Sequence, residues 1–229
     1  MESLSLIIPA HNAERFIGKS IAEYFKVFSQ HFKKLEFIIV CNACRDKTIE
    51  VCNSLKSKYS LKIINVLERG KGNALVKGFN QAENSIIGFL DADNPFELEE
   101  TLKMINLLNE NDIVIGTKFK KGSMKYQTSI SRRFFSIAGA FVSRILFGLY
   151  LSDTQAGVKF MKRIVWDKLE KNFICTGFEF DIELLYRIHK KRFKIKEYFL
   201  IPKESDYSTV KLRILPGMLK RLFILRFLR

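Results

Sequence analysis

Two aspartates, Asp91 and Asp93, stand one residue apart directly after the apolar run Ile86-Ile87-Gly88-Phe89-Leu90. Carboxylates so placed repel each other at a strand end, and a hard divalent cation removes the repulsion. Mg²⁺ or Mn²⁺ takes oxygen ligands from one or two carboxylates and completes its shell with water and substrate phosphates. The competing use is structural: Asp91 bonds the next loop and Asp93 caps a following helix, a start that Asn94, Pro95 and Glu97 also fit. A second group, Glu68-Arg69-Gly70-Lys71-Gly72-Asn73-Ala74, sets a lysine between two glycines where a helix opens. Small residues there let a backbone approach an anion, the helix amino end attracts it, and Lys71 adds charge. Arg69 and Lys71 equally suit a solvated face.

These groups need a scaffold that brings strand ends together. Short apolar runs recur along the chain, each followed by a helical pattern, which indicates an α/β fold with a mainly parallel sheet flanked by helices. Strands are expected at Leu4–Pro9, Glu36–Val40, Leu61–Leu67, Ser85–Leu90 and Asp112–Thr117, with helices at about 13–29, 46–58, 71–82 and 96–109. After Thr117 follow a polar loop, a long apolar helix, a strand at Gly157–Met161 and a helix near Phe180–Lys191. Ligands of such sheets gather beyond the carboxyl ends of the strands. That directs attention to Pro9-Ala10-His11-Asn12 and to Cys41-Asn42-Ala43-Cys44-Arg45-Asp46-Lys47-Thr48, polar turns of a kind that clamps a nucleoside. His11 lies near this pocket, with a backbone or packing role expected. Cys41 and Cys44 have CxxC spacing, but a structural zinc site needs four ligands and no second pair exists. Cys41 reads as a small buried residue.

Charge is divided unevenly. Residues 1–114 hold 14 basic and 15 acidic groups, net −1, whereas residues 115–229 hold 25 and 9, net +16. A basic half of this kind should meet a polyanion, either nucleic acid or an anionic membrane face. The segment Val210–Arg229 carries six basic groups and no acid among Leu, Ile and Phe. Leu219, Leu222, Phe223 and Phe227 recur there at helical spacing, with Lys220, Arg221, Arg226 and Arg229 available to anionic headgroups at about 1 kcal/mol each. This favours an interfacial helix, against the alternatives of a final helix packed on the core and a nucleic-acid arm. Phe134–Leu151 is long and apolar, yet Arg144, Ser136, Ser143 and its glycines make a membrane span costly; it reads as a helix buried in the protein or lying at its membrane-facing edge. Four cysteines without a signal peptide point to a reducing cytoplasm. The expected organisation is one domain over residues 1–205 and a basic amphipathic segment over 206–229.

The ordered series Ile8-Pro9-Ala10-His11-Asn12, Val40 to Thr48, Gly70 to Ala74 and Asp91-Ala92-Asp93 resembles glycosyltransferase family 2, with its GT-A fold. Asp153-Thr154-Gln155-Ala156-Gly157-Val158-Lys159 and Gly177-Phe178-Glu179-Phe180-Asp181-Ile182-Glu183 are similar to the branch that makes dolichyl-phosphate mannose or glucose. The likeness spans about residues 4–205. It implies transfer of a hexose from a GDP- or UDP-linked sugar to a polyprenyl or dolichyl phosphate, with inversion. The donor would lie on Pro9, Ala10, Asn12, Asn42, Lys71, Asp91, Ala92 and Asp93, with Mg²⁺ or Mn²⁺ on Asp91 and Asp93. Lys118, Arg132 and Ser136 match the positions that grip the acceptor phosphate, Lys118 standing where an arginine is usual and so losing bidentate geometry. Asp93, Arg132 and Asp181 are the catalytic candidates. Asp181 is placed ahead of Glu183 as base or sugar-orienting acid, while Thr176 and Glu179 fit a capping box.

The chain departs from the family at two points. Cys41-Asn42-Ala43-Cys44 stands where two acids, a small residue and a serine are usual, so Asn42 meets the base edge with both donors and acceptors. Pro95 stands where the mannosyl branch often has Gln, leaving the cation to Asp91, Asp93 and water. The expected setting is peripheral, at the cytoplasmic face of a membrane, with no nucleic-acid partner. Two other readings remain: a family 2 enzyme acting on a sugar hydroxyl, and a nucleic-acid- or nucleotide-sugar-binding protein without catalysis.

Overall fold

The computed structural model describes residues 3–118, 139, 141–201, 203 and 215–228. Four βα units come first: β1 (Ser3–Ala10) and α1 (Ile17–Phe28), β2 (Lys34–Asn42) and α2 (Thr48–Tyr59), β3 (Leu61–Val66) and α3 (Lys71–Gln81), β4 (Ile86–Leu90) and α4 (Leu98–Asn106). Then follow β5 (Ile113–Thr117), β6 (Val158–Lys162), α5 (Arg163–Asp167), α6 (Phe180–Lys190), β7 (Ile195–Phe199) and α7 (Leu215–Phe227). The strands form one sheet in the order β3-β2-β1-β4-β6-β5-β7. Among the described strands only β6 runs against its neighbours, antiparallel to both β4 and β5.

Side chains of a strand alternate between faces, and this assigns the sheet's residues to two cores. Leu4, Leu6, Ile8 and Ala10 of β1, with Phe37, Ile39 and Cys41 of β2, meet Ile17, Ile21, Tyr24 and Phe28 of α1 and Leu98, Leu102 and Ile105 of α4. Ile7, Ile38, Val40, Ile87 and Phe89 face the other way, onto Ala74, Leu75 and Phe79 of α3 and Ile182, Leu185 and Ile188 of α6. Both faces of the central strands are therefore dry, which accounts for their nearly continuous apolar sequences.

The five strands expected in the first half are present, as is the one read at Gly157–Met161. β7 lies outside that reading, because Lys196 and Glu197 interrupt its apolar residues, as an edge position allows. Within the long apolar stretch, residues 141–147 are helical and half covered: Ser143 and Phe147 are buried, Phe141 and Ile145 exposed. Among the described residues no helix is long and apolar enough to cross a membrane. α7 divides the apolar positions read as one stripe. Leu222 goes into the α3–α6 core beside Leu225, whereas Leu219, Phe223 and Phe227 are 50%, 55% and 57% exposed. One face of the helix is thus packed on the core and the other is exposed.

Candidate functional site

A cavity of about 500 Å³ opens beyond the carboxyl ends of β1, β2 and β4. Its first wall is made by two turns stitched to each other. The Ala13 backbone N–H donates to Thr48 Oγ1 (2.7 Å) and the Arg45 N–H to Asn12 Oδ1 (2.8 Å). Thr48 in turn donates to Asp46 Oδ1 (2.5 Å). Pro9, Ala10 and Asn42, read as donor-binding positions, line the cavity. Asn12 does not: it is exposed, with its side-chain oxygen spent on the next turn, so it shapes the site from outside. His11 lines the cavity in its place and contacts the Asn42 carbonyl through Nδ1 (2.6 Å). Asn42 donates to Glu68 O (2.6 Å) and accepts from Gly70 N–H (2.8 Å). One N–H and one lone pair of its amide remain, and the β2 turn is tied to the start of α3.

Gly70 has φ 147°, and a side chain there would run into the Thr176 carbonyl, so this position requires glycine. The amino end of α3 opens into the cavity with Lys71 as its first residue. Lys71 Nζ lies 2.8 Å from Asp91 Oδ1 and 3.9 Å from Asp181 Oδ2. Burial works to lower this ammonium's pKa, and Asp91 and then Asp181 outweigh it, so it stays charged.

Asp91 is held from three sides. Its N–H donates to Gly157 O (3.0 Å), and its carbonyl accepts from Tyr24 Oη (2.7 Å) and from Asn94 N–H (3.2 Å). A Cβ at position 157 would collide with the Asp91 carboxylate, so Gly157 makes the room in which that carboxylate stands. Asp93, half-buried beside it, has its carboxyl pKa raised by burial and then by repulsion from Asp91, while Lys71 and Lys118 pull the other way. The capping alternative fails: α4 starts at Leu98 behind Glu97, with no side-chain cap. The donor set suits a hard cation. Two carboxylates face one cavity; one already pairs with an ammonium, and burial followed by repulsion from its neighbour raises the carboxyl pKa of the other. Among the described residues no group of three or more His, Cys, Asp or Glu is gathered for a metal, so any cation on Asp91 and Asp93 would draw its remaining ligands from water or substrate.

Behind this corner lies a buried charge chain. Lys159, 1% exposed near the start of β6, sits 2.7 Å from Asp181 Oδ1, and its pKa is lowered by burial against the pull of Asp181. Asp181 is 1% exposed and does not line the cavity. Read as a catalytic candidate, it lies instead behind Lys71, 3.9 Å from its ammonium. Glu183 is likewise spent, accepting from the N–H groups of Ile174 (3.0 Å) and Cys175 (2.6 Å) and pairing with Arg187 (2.6 Å). Glu179 does line the cavity, and the capping box is not formed, since α6 begins without a side-chain cap. Its Oε1 accepts from Gly177 N–H (3.1 Å) and pairs with Arg221 of α7, a cavity residue the sequence reading had assigned to the membrane face.

Lys118 follows β5 close enough for its charge to act on Asp93. Arg132 and Ser136 lie outside the described residues. Lys159 and Arg221 were the residues sequence reasoning missed. The first carried a signal, a lysine inside the run Val158-Lys159-Phe160-Met161, where a charge must have a buried partner; the second carried none.

A doubly covered α/β sheet with an acidic corner after its fourth strand is the architecture of GT-A glycosyltransferases. A glucosyl-3-phosphoglycerate synthase from Mycobacterium tuberculosis, solved with Mn²⁺, uridine diphosphate and glucosyl-3-phosphoglycerate, has this fold; the similarity covers 98% of this chain and 79% of that one, with a TM-score of 0.73 and 17% identity. The chain belongs to glycosyl transferase family 2, whose model matches residues 5–180. It is 29% identical over 190 residues to a dolichol-phosphate mannosyltransferase of Pyrococcus furiosus, covering 80% of this chain and 52% of that protein. It is 30% identical over 231 residues to a dolichyl-phosphate beta-glucosyltransferase of Trichomonas vaginalis, covering 95% and 70%. The chain thus spans about half the length of the archaeal relative and about two thirds of the protist one.

Proposed function

We propose that the chain transfers a hexose from a nucleotide sugar to a polyprenyl or dolichyl phosphate at a membrane surface. The observation that carries the donor half is the meeting of Asp91 and Asp93 with Lys71 at the amino end of α3, in one cavity. Negative charge grows on the diphosphate as its bond to the sugar breaks, and the α3 amino end and Lys71 are placed to receive it. Mg²⁺ or Mn²⁺ on Asp91 and Asp93 would supply further positive charge to that leaving group.

The acceptor half is supported by the cations near the corner. A sugar hydroxyl must lose a proton as it attacks; Asp181 is out of the cavity and paired with Lys159, so the base for such a reaction would have to be Glu179 or His11, both of which line it. A lipid phosphate arrives ionised and needs only cations to hold it; Lys118 beside Asp93 is one, and Arg132 and Ser136 are proposed as the others. The phosphate oxygen bonds to the anomeric carbon as the diphosphate oxygen leaves with the bonding pair. One displacement inverts the centre. The names of the relatives agree with such an acceptor.

The outer face of α7 supports access to the lipid. Leu219, Phe223 and Phe227 are exposed beside Lys220 and Arg226, an arrangement that costs solvation in water and gains it at an anionic interface. The test is a transfer assay with Mn²⁺, a panel of nucleotide sugars and polyprenyl phosphate, read by mass spectrometry. The expected product is polyprenyl-phosphate hexose. Transfer to a glycan hydroxyl with none to the lipid would favour the other family 2 reading.

A further inference from the structure

The ion pair between Glu179 and Arg221 lines the cavity that also holds Asp91 and Asp93. Glu179 is 0% exposed, lines the cavity, and its Oε2 has no hydrogen-bond partner among the described residues. Leaving a buried carboxylate oxygen unpaired is costly, so such an atom calls for a ligand. Arg221 lines the same cavity with its side chain 36% exposed, and among the described residues only Nε of its guanidinium is engaged, by Glu179 Oε1. The pair therefore offers an unused acceptor and unused N–H donors side by side, with its net charge cancelled.

That combination matches hydroxyl groups better than it matches a diphosphate. A hydroxyl both donates and accepts, whereas a diphosphate only accepts and is already served by Lys71 and the α3 amino end. The position fits as well. Asp181, in the first turn of α6 just after Glu179, reaches to 3.9 Å from Lys71, whose ammonium is 2.8 Å from Asp91. The pair thus lines the same cavity as the corner where the sugar–diphosphate bond would lie. The geometry points to the Glu179–Arg221 pair as the hexose subsite: Glu179 accepts from, and Arg221 donates to, hydroxyls of the transferred sugar. This rests on the donor reading above and adds to it that α7, the helix with the membrane-seeking face, also contributes to sugar selection.

The experiment is calorimetric titration of Glu179→Gln, Arg221→Gln and Arg221→Lys with UDP, GDP, UDP-glucose and GDP-mannose, each with Mn²⁺, beside melting curves of every variant. The better-bound sugar nucleotide should lose about tenfold or more in affinity in Glu179→Gln and Arg221→Gln, the worth of one hydrogen bond to a charged group. Its nucleoside diphosphate should stay within about twofold. Arg221→Lys keeps the charge that holds Glu179 but loses the forked donors, so it should melt like the parent and still discriminate poorly between the hexoses. Equal losses for sugar nucleotide and nucleoside diphosphate, or no loss for either, would overturn the assignment while leaving the donor reading intact. Failure of the unaltered protein to bind any of the four would overturn both.

Discussion

The two halves of the sheet edge are built on different principles. On the β1–β2 side, where the sequence is nearly neutral, the turns bind one another through backbone N–H groups that donate to neutral side-chain oxygens: Ala13 to Thr48, Arg45 to Asn12, Gly70 to Asn42. On the β4–β6 side charges do the positioning, in the chain Lys159–Asp181–Lys71–Asp91, and the excess of basic residues gathers in the second half of the sequence. The difference separates a rigid wall from a polar corner whose ion pairs can be exchanged for ligands. On the proposed function, Lys71 would turn from Asp91 to a phosphate as Asp91 took up a cation.

Changes on the charged side should therefore destroy function while sparing the fold. The largest effect is expected for Asp93→Ala, with turnover falling by more than about 100-fold, beyond the cost of losing an outer-shell partner, and circular dichroism unchanged. Asp93→Asn carries a second signature. Burial, then Asp91, raises the Asp93 carboxyl, so over the interval up to that raised value the folded chain holds a proton the unfolded chain has lost. Stability declines as pH climbs through that interval, and Asp93→Asn should raise the melting temperature of cation-free protein at neutral pH while abolishing transfer. Next in size is Gly157→Ala, whose added carbon must push the Asp91 carboxylate aside. Turnover should drop roughly 10- to 100-fold, the range for groups that orient a metal ligand, with weakened Mn²⁺ binding by paramagnetic resonance.

On α7, Phe223→Ser with Phe227→Ser should reduce sedimentation with anionic liposomes about tenfold or more, since burying one such ring gains roughly 1.5–3 kcal/mol, and leave nucleotide binding in solution unaltered. The smallest effect belongs to the hydrogen-bonded wall. Burial alone would raise the Asp46 pKa, but the Thr48 hydroxyl and the N–H groups of Glu14 and Thr48 outweigh it and lower it. Its contribution is therefore present above the unfolded value near ~3.9 and is lost as pH falls through the lower folded one. Asp46→Asn should lower the melting temperature slightly at pH 7 and converge with the parent in acid.

The same contrast sets what the sequence could disclose. Strand ends followed by polar turns are local patterns, so Pro9, Ala10, Asn42, Lys71 and the Asp91–Asp93 corner were legible, as were the four βα units. Asn12 and His11 were exchanged because adjacent residues of a turn point opposite ways, and only the backbone decides which faces the cavity; Asn12 has φ 50°. Asp181 looked reactive because its partner Lys159 lies 22 positions earlier on an antiparallel strand whose direction no local pattern reveals. Arg221 shares a basic, apolar segment in which every cation reads alike, and its inward face is set by Leu222 and Leu225 entering the core.

The central claim is that the corner formed by Asp91 and Asp93 holds a divalent cation against the diphosphate of a nucleotide sugar. Anomalous scattering from crystals grown with Mn²⁺ and UDP or GDP tests it most directly. The account predicts a manganese peak at about 2.1 Å from an Asp93 carboxylate oxygen, with the diphosphate facing Lys71 and the start of α3. Manganese bound away from both aspartates, or a nucleotide lying outside this cavity, would contradict it.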